Sequence, residues 1–456
     1  MAVKVALVYP YFHPANDNSI FRFPPLGLGY IAAAMKRRGN EVELVDCTFL
    51  KFRDAVGRVM RAKPQIVGFY SMFSMKKTTI ELADAIRQVC SDCLFVVGGP
   101  LPSWSPESFL DTFDVVAVGE GEETMSELAD CIAQESGFSG VKGLVYRDGK
   151  RIVNTGTREF IKDLDTLVFP TRELFDNEAY KEYYQNRVGY STTSMITSRG
   201  CPFSCDFCSR PIFGTDIRTR SVNNIVDEVE QIQALGYDRV WFADDCFTLN
   251  RMHLLDVCNE IVRRQLNVSW ECLSRVDTMD QEVADGMKRA GCIRVFFGIE
   301  SGNDSVLGMM NKHITTSQAL CAVHAAKAAG LKTGAFFIVG YPGESNNTVL
   351  DTVRFASGLP LDYLSFTLPY PIPGTPLYER VKDKGVAIQD WEEPKNYHLI
   401  RHKLLYAAGF SENKLKFAIA KAQAQFYGRR YLRKTGYTVF GKPFESLTDW
   451  VFTKMH

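Results

Sequence analysis

Strand-like apolar runs and helix-length stretches alternate along this chain in two separate series, and that alternation leaves few folds open. Strict alternation of strand and helix implies a parallel sheet with helices on both faces. The first 135 residues alternate in this way five times. VKVALVYP is an apolar run suited to a buried parallel strand, and GLGYIAAAMKRRG has helical spacing and ends at a glycine, a common helix stop. EVELVD, QIVGFYS, LFVVGG and DVVAVG read as the next strands. Helical stretches are expected near 51–62, 77–90 and 121–135, with a shorter one near 106–112. Five strands suit the flavodoxin-like order, whose ligand crevice lies at the switch point beyond strands one and three.

A connector follows. GLVYRDGKRIV reads as a small hairpin turning at Asp148-Gly149, and residues 158–190 carry few regular periods. The second series begins near Ser194, with strand candidates SMITS, RVWFAD, SWECLSR, RVFFGIE, KTGAFFIVG and DYLSFTLPYP. Helical segments near 221–235, 251–265, 280–290, 315–329 and 345–357 separate them. Six such units fall short of the eight in a closed barrel, so an open, partial barrel is expected, with reactive groups at the carboxyl ends of its strands. Residues 376–456 are mainly helical and basic, as in KFAIAKAQAQFYGRRYLRK. They read as a packing helix with a solvated cationic face, or else as a cover over the barrel mouth. The expected fold is therefore α/β: a flavodoxin-like (Rossmann-type) domain at 1–140, a linker at 141–190, a partial (β/α)6 TIM-like barrel at 191–375 and a helical region at 376–456.

Bulk composition removes several classes of function. Lys+Arg and Asp+Glu both total 53, so no global field directs the chain to nucleic acid. No apolar run approaches the roughly 20 residues of a membrane span. MAVKVALVYPYF lacks a basic leader and a cleavage site and reads as a first strand, which makes a cytoplasmic location the default expectation. The twelve cysteines then suit a reduced interior better than disulfides. Cys90 and Cys93 form a C-x-x-C with no partner pair and read as structural.

RGCPFSCDFC, 199–208, places Cys201, Cys205 and Cys208 directly after the SMITS strand. Zinc sites usually close with four protein ligands, and this C-x-x-x-C-x-x-C leaves a fourth position vacant. A [4Fe–4S] cube needs four iron ligands, so three thiolates leave one iron able to chelate a small molecule. A zinc knuckle or three incidental cysteines is the bland alternative. The loop resembles that of the radical S-adenosylmethionine (SAM) superfamily, in which an aromatic residue, here Phe207, precedes the third cysteine. The resemblance implies that Cys201, Cys205 and Cys208 hold a [4Fe–4S] cluster whose open iron binds SAM. An electron donor such as ferredoxin or flavodoxin would drive cleavage of SAM to a 5′-deoxyadenosyl radical. Family members place SAM contacts at strand ends, which here carry Asp244, Arg275, Glu300 and Ser301, with Phe207 and Ser209 in the loop itself. Tyr341 is the candidate catalytic helper, with packing as its bland alternative. PYPIPGTPLY, 369–378, matches a stretch that often ends the barrel in this group.

The N-terminal half carries no G-x-G-x-x-G after its first strand, so nicotinamide is weakly supported. Its informative loops are FRFPPLGLGY, FYSMFSM, VGGPLPSWSPE and VGEGEETMSEL. Adjacent glycines let backbone approach a bulky ligand, and helix starts offer free N–H groups. Together these loops resemble the cobalamin-binding domain that precedes the radical SAM barrel in one large subfamily, the class B methyltransferases, with the resemblance covering about residues 1–375. It implies cobalamin contacts from Pro25, Leu26, Gly27, Ser71, Met72, Gly98, Gly99, Pro100, Gly119, Glu120, Gly121 and Glu122. The cobalt-ligating D-x-H-x-x-G of other cobalamin domains is absent, and His13 is the one histidine before 253. Base-off cobalamin with its lower face covered from 70–75 is therefore expected. A domain kept only as a docking surface is the bland alternative.

The resemblance implies a C-methyltransferase: the deoxyadenosyl radical removes hydrogen from an unactivated substrate carbon, and methylcobalamin donates a methyl group to it. The substrate is a small molecule or a peptide or protein side chain, glutamine among them. Oxidative cyclisation or ring rearrangement in the same architecture is the first rival, and a non-catalytic cobalamin or redox sensor the second.

Overall fold

The computed structural model describes residues 2–13, 20–208, 212–386, 404–407, 409–435 and 441–455. They fall into two compact units, the first holding 1–202 and 210–240, the second 203–209, 241–388 and 398–456.

The first unit is built on a seven-stranded sheet. Its strands are β1 (Lys4–Tyr9), β2 (Glu41–Asp46), β3 (Ile66–Tyr70), β4 (Leu94–Gly98), β5 (Val115–Ala117), β6 (Leu144–Asp148) and β7 (Arg151–Asn154). They lie in the order β2-β1-β3-β4-β5-β6-β7. The first five pair in parallel, which is the flavodoxin-like order expected from the alternation. The β6–β7 hairpin, expected in the connector, joins the sheet antiparallel at the β5 edge.

Successive residues of the buried strands go to opposite faces, as the twofold strand period requires. Ala6, Val8, Val67, Phe69 and Phe95 pack in one core with Ala55, Val59 and Leu82 of helices Phe52–Ala62 and Lys76–Arg87. Val5, Leu7, Ile66, Val96 and Val115 pack in the other with Leu28, Met35, Met125 and Leu128 of helices Leu26–Arg37 and Gly121–Ala133. All five parallel strands therefore point their carboxyl ends toward the same edge, where the glycine loops lie.

Two local readings are revised. The stretch 158–190 contains a helix, Asn177–Val188, capped by Asp176 and stopped at the left-handed Gly189. Its sequence is polar on most sides, and only Tyr180 and Tyr184, four apart, turn inward. Their hydroxyls donate to Asp46 Oδ2 (2.7 Å) and Ile20 O (3.0 Å). Cys90 and Cys93 form a disulfide, against the expectation of free thiols. The chain leaves helix Lys76–Arg87 just before Cys90 and brings the two Cα atoms to 5.9 Å, within the usual disulfide span.

The second sheet has six strands: β8 (Thr192–Met195), then, after the ribbon strands β9 (Ser198–Arg199) and β10 (Arg218–Thr219), β11 (Arg239–Phe242), β12 (Ser269–Ser274), β13 (Cys292–Glu300), β14 (Lys332–Ile338) and β15 (Tyr363–Thr367). Their order is sequential, β8-β11-β12-β13-β14-β15, and the pairings from β12 to β15 are parallel, the open six-unit series that the sequence implied. Helices Val222–Ala234, Arg251–Arg263, Gln281–Arg289, Thr316–Ala328 and Asn346–Gly358 alternate with the strands. Beyond β15 lie helices Pro376–Val381, Glu412–Thr435 and Gly441–Lys454. The long helix is less cationic at its surface than expected, because Lys414 and Lys421 are buried, bonded to Met455 O (2.7 Å) and paired with Asp449.

Candidate active site

A cavity of about 290 Å³ opens at the carboxyl ends of the first sheet, inside the first unit. Gly27, Gly98, Gly99, Pro100, Gly119, Glu120, Gly121 and Glu122 line it, so eight of the twelve residues singled out for cobalamin meet at one place. Pro25 and Leu26 open helix Leu26–Arg37 beside it and are buried without lining it. Ser71 also stays outside: its hydroxyl accepts from Thr79 Oγ1 (3.2 Å), and its N–H donates to Gly98 O (2.8 Å). From the stretch 70–75 it is Tyr70 that reaches the cavity, while Met72 does not. His13 packs its ring edge-on to Tyr183, 5.0 Å between centroids, and is absent from the lining.

The glycines have distinct reasons. Gly99 has φ +108°, and a Cβ there would stand 2.7 Å from Ser71 O and 3.1 Å from the Tyr70 ring. Gly27 and Gly119 instead face open space, so a side chain at either would fill the cavity. Burial pushes the Tyr70 phenol up to about 12, which keeps it neutral.

The wall of the cavity also includes Ile196, Arg199, Ile212 and Phe213, which the sequence reading did not single out. Arg199 and Arg218 stand opposite each other in the antiparallel β9–β10 ribbon. Both donate to Glu120 Oε1, at 3.0 and 2.8 Å, and Arg199 also donates to Glu122 Oε1 at 2.5 Å. The other Glu120 oxygen accepts from Ile161 N (2.8 Å). All four side chains are nearly solvent-free, so the two carboxylates expected to face cobalamin are neutralised by protein cations. Arg199 is followed by Gly200, at φ +95°, and then by Cys201, whose N–H donates to Gly214 O (3.2 Å).

In the second unit the loop Phe203–Cys208 is held on several sides. Arg275, at the end of β12, lies over the Phe203 ring at 3.5 Å. Asn311 Nδ2 donates to Ser204 O and Ser204 Oγ, both at 2.8 Å. Asp206 donates its N–H to Met310 O (3.0 Å), accepts from Leu377 N (3.0 Å), and takes Arg380 Nη2 at 2.6 Å. Cys208 N–H donates to Cys205 O (3.1 Å). Cys205 is buried, Cys208 exposed and Cys201 half-buried. Among the described residues no group of three His, Cys, Asp or Glu side chains stands at metal-ligating distance.

A second cavity, about 340 Å³, lies within the barrel and is lined by Phe207, Glu300, aromatic residues of β14 and β15, Thr367 and Tyr370. Glu300 sits at a register shift between β13 and β14 with φ +69°, a left-handed conformation uncommon for a side-chain-bearing residue. Its Oε1 accepts from Lys312 Nζ (3.0 Å), a buried ammonium 5.8 Å from the Phe207 ring centroid. The Lys312 ammonium stays charged despite burial because the Glu300 carboxylate holds its pKa up. Asn311 and His313 flank Lys312, also at positive φ.

The other residues expected at SAM divide. Asp244 is buried at the end of β11. Arg275 has its guanidinium fork taken by Asp277 (2.9 and 2.8 Å) and by Lys312 O (3.0 Å), so its observed work is holding the loop. Ser301 is fully buried and shares a hydrogen bond with Thr352 (2.9 Å). Tyr341, the candidate helper, packs with Val306, Met310, Ile338, Leu377 and Tyr406 and does not line the cavity. Ser209 lies outside the described residues. Lys312, Asn311 and Glu344 were missed; each sits in a polar run indistinguishable from a helix cap by pattern alone.

Comparison with known proteins agrees with both halves. The Radical SAM superfamily matches residues 195–356, and the B12 binding domain matches residues 14–129. An uncharacterized methyltransferase of Pyrococcus horikoshii is 33% identical over 436 residues, covering 94% of this chain and 93% of its own. The chain belongs to the cobalamin-dependent radical SAM methyltransferase family. Another relative, the anaerobic magnesium-protoporphyrin IX monomethyl ester cyclase of Cereibacter sphaeroides, is 27% identical, covering 94% of this chain and 74% of its own. The fold is shared with the radical SAM methyltransferase TsrM from Kitasatospora setae, solved with cobalamin and a [4Fe–4S] cluster. That likeness has a TM-score of 0.69 at 23% identity, over 84% of this chain and 78% of that one.

The family's cofactors are a [4Fe–4S] cluster, SAM and cobalamin. The residues present fit them. In type and number the three thiols on one loop suit an iron cube with one iron left for a small chelator, although their side chains are not gathered at ligating distance in this structure. The open faces of Gly27 and Gly119 match a broad ligand brought against backbone. Among the described residues no helix is long and apolar enough to cross a membrane.

Proposed function

We propose that this family member transfers a methyl group to an unactivated carbon of its substrate after hydrogen-atom abstraction. The observation that carries the reading is the place of Arg199. It lines the glycine-rich cavity and stands two residues before the first cysteine of the cluster loop. When bound, the cluster and SAM supply hydrogen-abstracting chemistry, and cobalamin supplies a transferable methyl group.

The chain's own residues supply placement. Cys201, Cys205 and Cys208 would hold the cluster. Gly27, Gly98, Gly99, Pro100, Gly119 and Gly121 bring backbone against the corrinoid, and Tyr70 presents a neutral ring. Glu300, with Phe207 beside it, would meet SAM in the 340 Å³ cavity. Lys312 keeps Glu300 aligned, and Asp244 is a further acceptor at the neighbouring strand end. Arg275, Asn311 and Arg380 fix the loop. Ser365, Thr367 and Tyr370 offer polar atoms in a lining that is apolar apart from them and Glu300. An external one-electron donor of the ferredoxin or flavodoxin kind completes the set, in a cytoplasmic setting.

The test is anaerobic turnover with methyl-labelled SAM over a panel of acceptors that includes glutamine-containing peptides and tetrapyrroles. Methyl transfer predicts 5′-deoxyadenosine together with a labelled product. An unlabelled ring product would assign the cyclase reading, which the similarity to the Cereibacter enzyme favours second. A reducible cluster that yields no 5′-deoxyadenosine with any acceptor would overturn catalysis.

A further inference from the structure

We infer that Arg199 couples the corrinoid cavity to the cluster loop, so that filling either site tightens the other. The inference rests on the reading of the 290 Å³ cavity as the cobalamin site. Arg199 is a positioning residue: it lines the cavity and acts on the cluster loop through its carboxylate partners and the adjoining backbone.

Two arginines directly opposite across antiparallel strands repel unless something answers their charge. Glu120 Oε1 answers both, at 3.0 Å from Arg199 and 2.8 Å from Arg218. Glu122 takes the second Arg199 nitrogen at 2.5 Å. Two cations and two carboxylates thus cancel, with relative exposures between 2% and 9%. Removing any one member would strand a buried charge, so the four are held as a block.

One face of that block is the cavity wall. Glu120 and Glu122 bracket Gly121, the first residue of helix Gly121–Ala133, and all three line the cavity. The Arg199 guanidinium also lies 5.4 Å from the Tyr30 ring and 4.9 Å from the Phe213 ring, and both rings line it too. From the other end of the block the backbone leads directly to the first cysteine. Between Arg199 and Cys201 stands only Gly200, left-handed and packed against the Asp216 backbone. Arg218 ties the far side of the same turn by donating to Phe213 O (2.8 Å).

Along the chain, Gly200 alone separates the anchored Arg199 from Cys201. Fixing Cys201 on iron restricts Gly200 and Arg199, and through Glu120 and Glu122 restricts the cavity wall. A corrinoid that presses on that wall restricts the same atoms from the other side. Each ligand then spares the other part of the ordering entropy, and linkage makes the factor equal in both directions.

The test needs no substitution at first. Hydroxocobalamin is titrated into full-length protein under anaerobic conditions, once cluster-free and once after cluster reconstitution. Coupling of the usual size predicts about 5- to 100-fold tighter binding to the reconstituted protein. In Arg199→Lys, which keeps the charge and loses the fork, that ratio should fall toward one, with the cluster's absorption and electron paramagnetic resonance signals retained. Equal affinity in the two wild-type forms overturns the inference. So does a ratio that survives in Arg199→Lys. Absence of cobalamin binding by either form overturns the cobalamin reading itself, a separate failure. Should Arg199→Lys not fold, the wild-type comparison still decides whether coupling exists, and Arg218→Lys, which loses one of the two arginine bonds to Glu120 Oε1, should give a reduced ratio; an unreduced one refutes the block.

Discussion

Gly200→Ala is the sharpest perturbation of the cluster loop. Gly200 has φ +95°, where an L side chain costs about 1–2 kcal/mol. Its new Cβ would also fall well inside van der Waals contact distance of Asp216 O, with Asp216 C at 3.0 Å and Phe213 O at 3.3 Å. Those neighbours are backbone and cannot swing aside, so overpacking adds about 1–3 kcal/mol. Opening the turn to relieve it breaks the Cys201 N–H bond to Gly214 O, another ~1 kcal/mol. The sum is about 3–6 kcal/mol against the conformation that presents Cys201. At about 1.4 kcal/mol per factor of ten, the lower figure alone reduces that conformation on the order of 100-fold. The assay is iron and acid-labile sulfide per chain after anaerobic reconstitution and challenge with a ferrous chelator, with thermal unfolding alongside. Gly140→Ala is the control, since nothing lies within 4 Å of a Cβ there. Iron retention equal to wild type in Gly200→Ala, with an unchanged unfolding midpoint, would refute the reasoning.

Three further outcomes follow from buried charge and covalent constraint. Glu344 accepts from Gly340 N (2.7 Å) and Tyr341 N (2.8 Å), and burial raises its carboxyl from 4.5 to about 7. A raised carboxyl makes its contribution in full below the unfolded pKa and loses it as pH climbs toward 7. The stability of wild type relative to Glu344→Gln should therefore fall by at most about 3 kcal/mol between pH 4.5 and 8, and denaturant titrations showing a flat or rising difference would contradict this. Glu228 is fully buried between Arg172 Nη2 and Arg220 Nη1, each at 2.5 Å, so Glu228→Gln should cost about 3–5 kcal/mol in urea unfolding, and a loss under 1 kcal/mol would mean that the cations find other partners. The Cys90–Cys93 disulfide closes a loop with a sequence separation of 3, so Cys90→Ser should destabilise by no more than about 2 kcal/mol, while thiol alkylation of the unreduced native protein should leave Cys93 unmodified.

Much of the architecture was legible because it is local. The periods of VKVALVYP and GLGYIAAAMKRRG specify strand and helix within a few residues, and repeated alternation permits little besides parallel sheets. The three-cysteine spacing and the glycines at the strand ends are equally local, and eight of the twelve expected cavity residues meet. Helix Asn177–Val188 was hidden because it turns only Tyr180 and Tyr184 inward, too few to print a period. Charge pairing was hidden for a different reason. Arg275 looked free for a ligand, yet Asp277 occupies its fork, and Tyr341 looked available, yet Val306, Leu377 and Tyr406 enclose it. Glu120 and Arg199 stand 79 residues apart, and only the folded chain decides that they meet. A sequence fixes which groups a chain owns and the periods they follow; which acid answers which base depends on how distant loops are brought together, a choice made by packing the whole sheet at once.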